Sequence, residues 1–129
     1  MNSKGMALAL AMIVPSAALW GQSAGKGILL EVLTWIEAEK VLTADTVVVI
    51  PLGAAAKEHG PRLKLKNDWL IAEYLKREVL ARGDVVIAPT INYHYFPAFL
   101  EHPGCTALRL ETARDLVVDI CRSLGRHGP

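Results

Sequence analysis

Residues 47–68, VVVIPLGAAAKEHGPRLKLKND, decide the fold class and hold the densest chemistry of the 129-residue chain. The stretch opens on an unbroken apolar run, Val47, Val48, Val49 and Ile50, which is rich in β-branched residues. Such a run suits a strand covered on both faces, as in the parallel sheet of an α/β protein. Pro51 cannot donate to a sheet ladder and Gly53 permits unusual dihedrals, so the strand ends there. A polar cluster follows: Lys57, Glu58, His59, Gly60, Pro61 and, nine residues past His59, Asp68. In open α/β sheets ligands bind outside the carboxyl ends of the strands, and this cluster follows such an end.

Working outward, Asn67 is expected to cap a helix that carries Asp68 in its first turn. Its apolar face is Ile71, Tyr74, Leu75 and Val79, its solvent side holds Lys76, Arg77 and Arg82, and Gly83 ends it. Residues 84–89, DVVIAP, read as a second buried strand, so strand, helix and strand form a βαβ unit. Upstream, 28–33 reads as a short strand. A helix over 35–42 follows, because Thr34 and Glu37 have capping-box spacing. Downstream comes an irregular loop with Tyr93, His94, Tyr95, Phe96, Phe99 and His102. Then Ala113, Leu116, Val117, Ile120 and Leu124 recur at helical spacing over 111–124.

The order strand, Pro-x-Gly, acid, His-Gly-Pro and a later Asp resembles the first metal-binding segment of the creatininase (creatinine amidohydrolase) family. The LTWIEAEKVL segment before the strand, Tyr93, His102-Pro103-Gly104-Cys105 and Ala107-Leu108 extend the resemblance over the mature chain. It implies a three-layer α/β/α fold with a mostly parallel sheet, here truncated to an N-terminal portion, residues 24–129. It also implies a metal-dependent amidohydrolase with two divalent ions, zinc or manganese, acting on the C–N bond of a small, often cyclic amide. A full-length member is expected to be a homo-oligomer. His59 and Asp68 fall on the family's His and bridging Asp. Lys57 stands at the family's usual Glu position, and an ammonium has no lone pair for a metal, so Glu58 is the third candidate ligand. The family's later His and Glu ligands lie in a Gly-rich segment beyond the match, and no catalytic residue is assigned.

Other readings of the same residues stay open. A carboxylate in a helix's first turn, such as Asp68, is stabilised by the helix dipole without any metal. His94 and His102 could be ligands but are expected to be solvated loop residues, and the loop aromatics are expected to pack locally, a lid being the alternative. Cys105 and Cys121 are too few for a disulfide scaffold and are expected as buried free thiols, with a single bridge as the alternative.

Fourteen Lys and Arg against thirteen Asp and Glu give a formal net charge of +1, and the signs alternate without a basic stripe. That pattern gives no sign of nucleic-acid binding, and no nucleic-acid partner is expected. Residues 1–23 read as a secretory signal peptide: Lys4, an apolar core from Met6 to Val14, then Pro15 and small residues. The core is shorter than the ~20 residues of a spanning helix, so no membrane association is expected after cleavage and the destination is periplasmic or secreted. An uncleaved anchor is the alternative. A different function class also remains, a non-catalytic secreted α/β domain that acts through a partner chain.

Overall fold

Strand β3 (Val86–Ile87) lies at the centre of a three-stranded parallel sheet, between β1 (Ile28–Leu29) and β2 (Val48–Val49). This computed structural model describes residues 26–128, so the expected leader lies outside the described residues. Ile28 and Val48 flank Val86, and Leu29 and Val49 flank Ile87. Backbone bonds from Ile28 N to Val85 O (2.9 Å) and from Ala88 N to Val49 O (2.8 Å) tie the centre to both neighbours. The apolar run 85–88 takes the middle because it has no polar side chain to hydrate, and Ile87 is completely buried.

The expectation of two-sided cover holds for β3 but not for β2. Val47 is 60% exposed and Val48 to Ile50 are only half-buried, because β2 is an edge strand. Strand β1 is shorter than expected. After Leu29 the chain turns through a 3-10 segment (Leu30–Val32), which carries Glu31 toward the side chain of Lys76.

Helix α1 (Trp35–Val41) starts as its sequence predicts. Thr34 accepts from the Glu37 amide, and the Glu37 carboxylate accepts from the Thr34 amide at 2.8 Å, a reciprocal capping box. Thr46 Oγ1 donates to Val41 O at 2.7 Å and turns the chain into β2.

Helix α2 (Asn67–Arg82) crosses from β2 to β3, the expected strand–helix–strand unit. Its start differs from expectation. Lys66 occupies the N-cap with no side-chain cap bond, and Asn67 is already helical. A loop carbonyl does part of that work: the Trp69 amide donates to Ala54 O at 3.1 Å. Its buried face differs too. Ala72 and Lys76 are the buried residues, whereas Ile71, Tyr74, Leu75 and Val79 lie exposed. Gly53 explains the rotation, since a Cβ there would sit 2.7 Å from Ala72 Cβ and from Asp68 O. Only a small residue at 72 fits so close a contact, and the bulky apolar stripe is turned away. Lys76, expected in solvent, is 9% exposed and bonds Glu31 at 2.5 Å.

Helix α3 (Leu110–Gly125) buries Ala113, with Val117, Ile120 and Leu124 half-covered and Leu116 exposed. Gly83 closes α2 with extended backbone, φ −93°, so its service there is space against Val79 O rather than a left-handed turn. Among the described residues no helix is long and apolar enough to cross a membrane.

Three outcomes follow. Gly53→Ala should destabilise the fold by about 2 kcal/mol in denaturant titration, because overpacking at this contact meets the helix backbone and the short Ala72 side chain, neither of which can swing aside. Glu31→Ala should lower stability by on the order of 2 kcal/mol, less than the ~3–5 kcal/mol of a fully buried pair because Glu31 keeps water contact, whereas Lys76→Met should be near neutral. The capping bonds from Thr34 hold the Glu37 carboxyl below its ordinary value. A depressed acid stabilises the fold above its unfolded pKa, and the gain is lost as pH falls through the folded value. Acid titration of Glu37→Gln against the parent should therefore show a difference at neutral pH that disappears at low pH.

Candidate functional site

The two loops that leave the carboxyl ends of β2 and β3 are stitched together. Gly53 N donates to Ile91 O (3.0 Å), Ala55 N to Asn92 O (2.9 Å) and Thr106 N to Ala56 O (2.9 Å). On its other side the β2 loop meets its own return, with Lys57 N on Leu65 O at 3.0 Å. A further tie runs from Thr90 Oγ1 to Glu73 Oε1 on α2, at 2.5 Å. Residues 53–59 are thus held between the β3 loop and the first turn of α2, which brings distant parts of the sequence to one place.

At that place His59 and Asp68 face each other, with His59 Nε2 3.5 Å from Asp68 Oδ1. Nε2 is buried and has no hydrogen-bond partner, although its ring is only 12% exposed. A buried nitrogen without a partner is a lone pair or a proton left unsatisfied. The other oxygen of Asp68 is taken: Lys57 Nζ lies 3.1 Å from Oδ2. Asp68 is the second residue of α2, where the helix dipole also favours its negative charge.

Glu58 does not join the pair. Its carboxylate turns back to accept from the Gly60 amide, and Gly60 holds φ 92°, a conformation that suits glycine. Its own amide donates to Cys105 Sγ at 3.2 Å, which anchors the motif to the β3 loop. Among the described residues no three His, Cys, Asp or Glu side chains group closely enough to hold a metal ion. The pair of His59 and Asp68 can furnish two donors to one ion.

His94 and His102 take no part in the pair. His94 Nδ1 lies 3.0 Å from Tyr95 O, with its ring edge-on to Phe96, and His102 stacks on Phe99 at the surface. Of the loop aromatics only Phe96 is buried; Tyr93, Tyr95 and Phe99 are exposed. Cys105 and Cys121 are both free, as expected, but Cys121 is exposed rather than buried because it lies on the outer side of α3. A groove of about 510 Å³ between the β3 exit and α3 is lined by Ile91, Tyr93, Leu108 and Leu116, apart from His59 and Asp68.

Sequence reasoning missed Lys57 as the partner of Asp68. Eleven residues separate them, and only the fold of the intervening loop makes them neighbours. It also missed Gly53 as a contact point, reading that glycine for its dihedrals alone.

Comparison with known proteins agrees with this architecture. The creatininase family, described as creatinine amidohydrolase, matches residues 31–129. The chain is 31% identical over 109 residues to creatinine amidohydrolase of Pseudomonas putida, covering 80% of this chain and 42% of that protein. A creatininase variant solved in complex with creatine superposes with a TM-score of 0.70 at 29% identity, covering 78% of this chain and 41% of that one. A creatininase variant of Zn-Zn type superposes with a TM-score of 0.66 at 29% identity, over 81% of this chain and 42% of that one. The chain thus spans well under half the length of these relatives, with the same α/β fold over the shared part, and it belongs to the creatininase family.

Proposed function

We propose that this chain supplies the His59 and Asp68 side of an amidohydrolase site that cleaves the C–N bond of a small, cyclic amide of the creatinine type. The observation that carries the reading is the buried, unpartnered Nε2 of His59 facing Asp68 Oδ1. An imidazole nitrogen and a carboxylate oxygen are ordinary donors to zinc or manganese, so the pair fits one divalent ion. When bound there, such an ion supplies Lewis-acid polarisation of an amide carbonyl. The chain's own residues do the rest. The first turn of α2 positions Asp68, burial keeps competing water from His59, and the stitched loops fix both side chains on backbone.

The fit stops at one ion. Oδ2 of Asp68 is already engaged by Lys57, and Glu58 is turned to Gly60, so the residues present do not form the two-ion site of the Zn-Zn relative. The remaining donors and the substrate contacts of a complete site are proposed to come from polypeptide corresponding to the rest of the relatives' length. Exposed apolar residues on α2, Ile71, Tyr74 and Leu75, and on α1, Trp35 and Ile36, support that reading, since faces of this kind are usually covered. They equally support the second reading, a non-catalytic domain that works by pairing with another chain.

Assay of creatinine ring opening separates the two. The chain alone should be inactive. Combined with the complementary C-terminal portion of the Pseudomonas putida relative, it should hydrolyse creatinine in a zinc- or manganese-dependent way. His59→Ala and Asp68→Asn should each reduce that activity by at least ~100-fold. A folded, combined protein without activity at any metal concentration would favour the pairing domain.

A further inference from the structure

We propose that Lys57 is a built-in counter-cation on the Oδ2 side of Asp68, so that this site takes one divalent metal ion, through His59 Nε2 and Asp68 Oδ1, where a two-ion centre would place a second. The proposal rests on the metal-site reading above and adds to it the number of ions and the group that sets that number.

A carboxylate that bridges two metal ions gives one oxygen to each. Here the two oxygens of Asp68 already have different partners. Oδ1 lies 3.5 Å from an unpartnered imidazole nitrogen, whereas Oδ2 lies 3.1 Å from an ammonium. A divalent ion on Oδ2 would have to share that oxygen with an ammonium already at hydrogen-bond distance from it. Coulomb repulsion at such a separation is strong, and the side chains of Lys57 and Asp68 are only 25% and 30% exposed, so solvent screens it incompletely. Lysine also offers no lone pair while protonated, so it cannot turn from competitor into ligand.

The ammonium is delivered to that position by backbone. The Lys57 amide is bonded to Leu65 O, and its neighbour Ala56 accepts from the Thr106 amide. Glu58, the adjacent carboxylate, is held by the Gly60 amide and is not the one paired with Lys57. One positive charge therefore already balances Asp68 on the Oδ2 side, and the donor pair of His59 Nε2 and Asp68 Oδ1 lies on the other.

Metal stoichiometry tests this without reference to turnover. The chain combined with the complementary portion of the relative is equilibrated with excess manganese, desalted, and its ions counted by mass spectrometry. Electron paramagnetic resonance then reports whether they are isolated or exchange-coupled. The expected result is one ion per chain with an isolated-ion spectrum, lost in His59→Ala. Lys57→Glu should bind two ions and show the coupled spectrum of a pair ~3.5–4 Å apart. Lys57→Met, which removes the charge without adding a ligand, should bind the first ion more tightly and guards against misfolding of the glutamate variant. Two coupled ions in the parent protein would overturn this proposal while leaving the metal-site reading intact. No ion in the parent or either variant, with circular dichroism showing a folded protein, would overturn both.

Discussion

The close approach of Gly53 to the first turn of α2 is the contact on which the rest of the site depends. A Cβ at 53 would overlap Ala72, Asp68 O and the Trp69 backbone, so a side chain there would push the helix off the loop. With no side chain in the way, Ala54 O reaches the Trp69 amide and substitutes for a side-chain cap. The same contact fixes the rotation of α2. Ala72 and Lys76 face inward, Asp68 is presented to the β2 loop, and Ile71, Tyr74 and Leu75 are left outside.

Much of this order was legible in the residues, for physical reasons that differ element by element. The βαβ core around Val86 and Ile87 could be read because long apolar runs and helical periodicity are local properties. The Thr34–Glu37 capping box could be read because it is a bond between residues three apart. The buried face of α2 could not. Periodicity shows that a stripe exists, but which stripe meets the sheet is set by Gly53, fourteen residues before the start of the helix. The burial of Lys76 is hidden for a related reason, since only the tertiary fold brings it to Glu31, 45 residues away in sequence.

The candidate site divides in the same way. His59 and Asp68 stand out through the motif that surrounds them, and the fold does bring them together. The motif points to Glu58 because an ammonium at Lys57 cannot be a ligand, yet the local backbone decides the orientation of Glu58, through the Gly60 amide and the left-handed turn. In the sequence Lys57 is only a gap in a motif. In three dimensions it is a charge with a definite partner, and that partner is the carboxylate the family resemblance makes a metal bridge. A departure from a motif can therefore carry information about ion number as well as about loss.

Amide hydrogen exchange at Trp69 is the most direct test of the helix–loop contact that places Asp68. An amide in the open first turn of a helix ordinarily exchanges quickly, because nothing within the helix accepts its proton. Bonded to Ala54 O, the Trp69 amide should exchange about as slowly as the amides in the middle of α2. Exchange as fast as that of an unbonded first-turn amide would mean that the loop does not cap the helix, and that the facing of His59 and Asp68 has no fixed support.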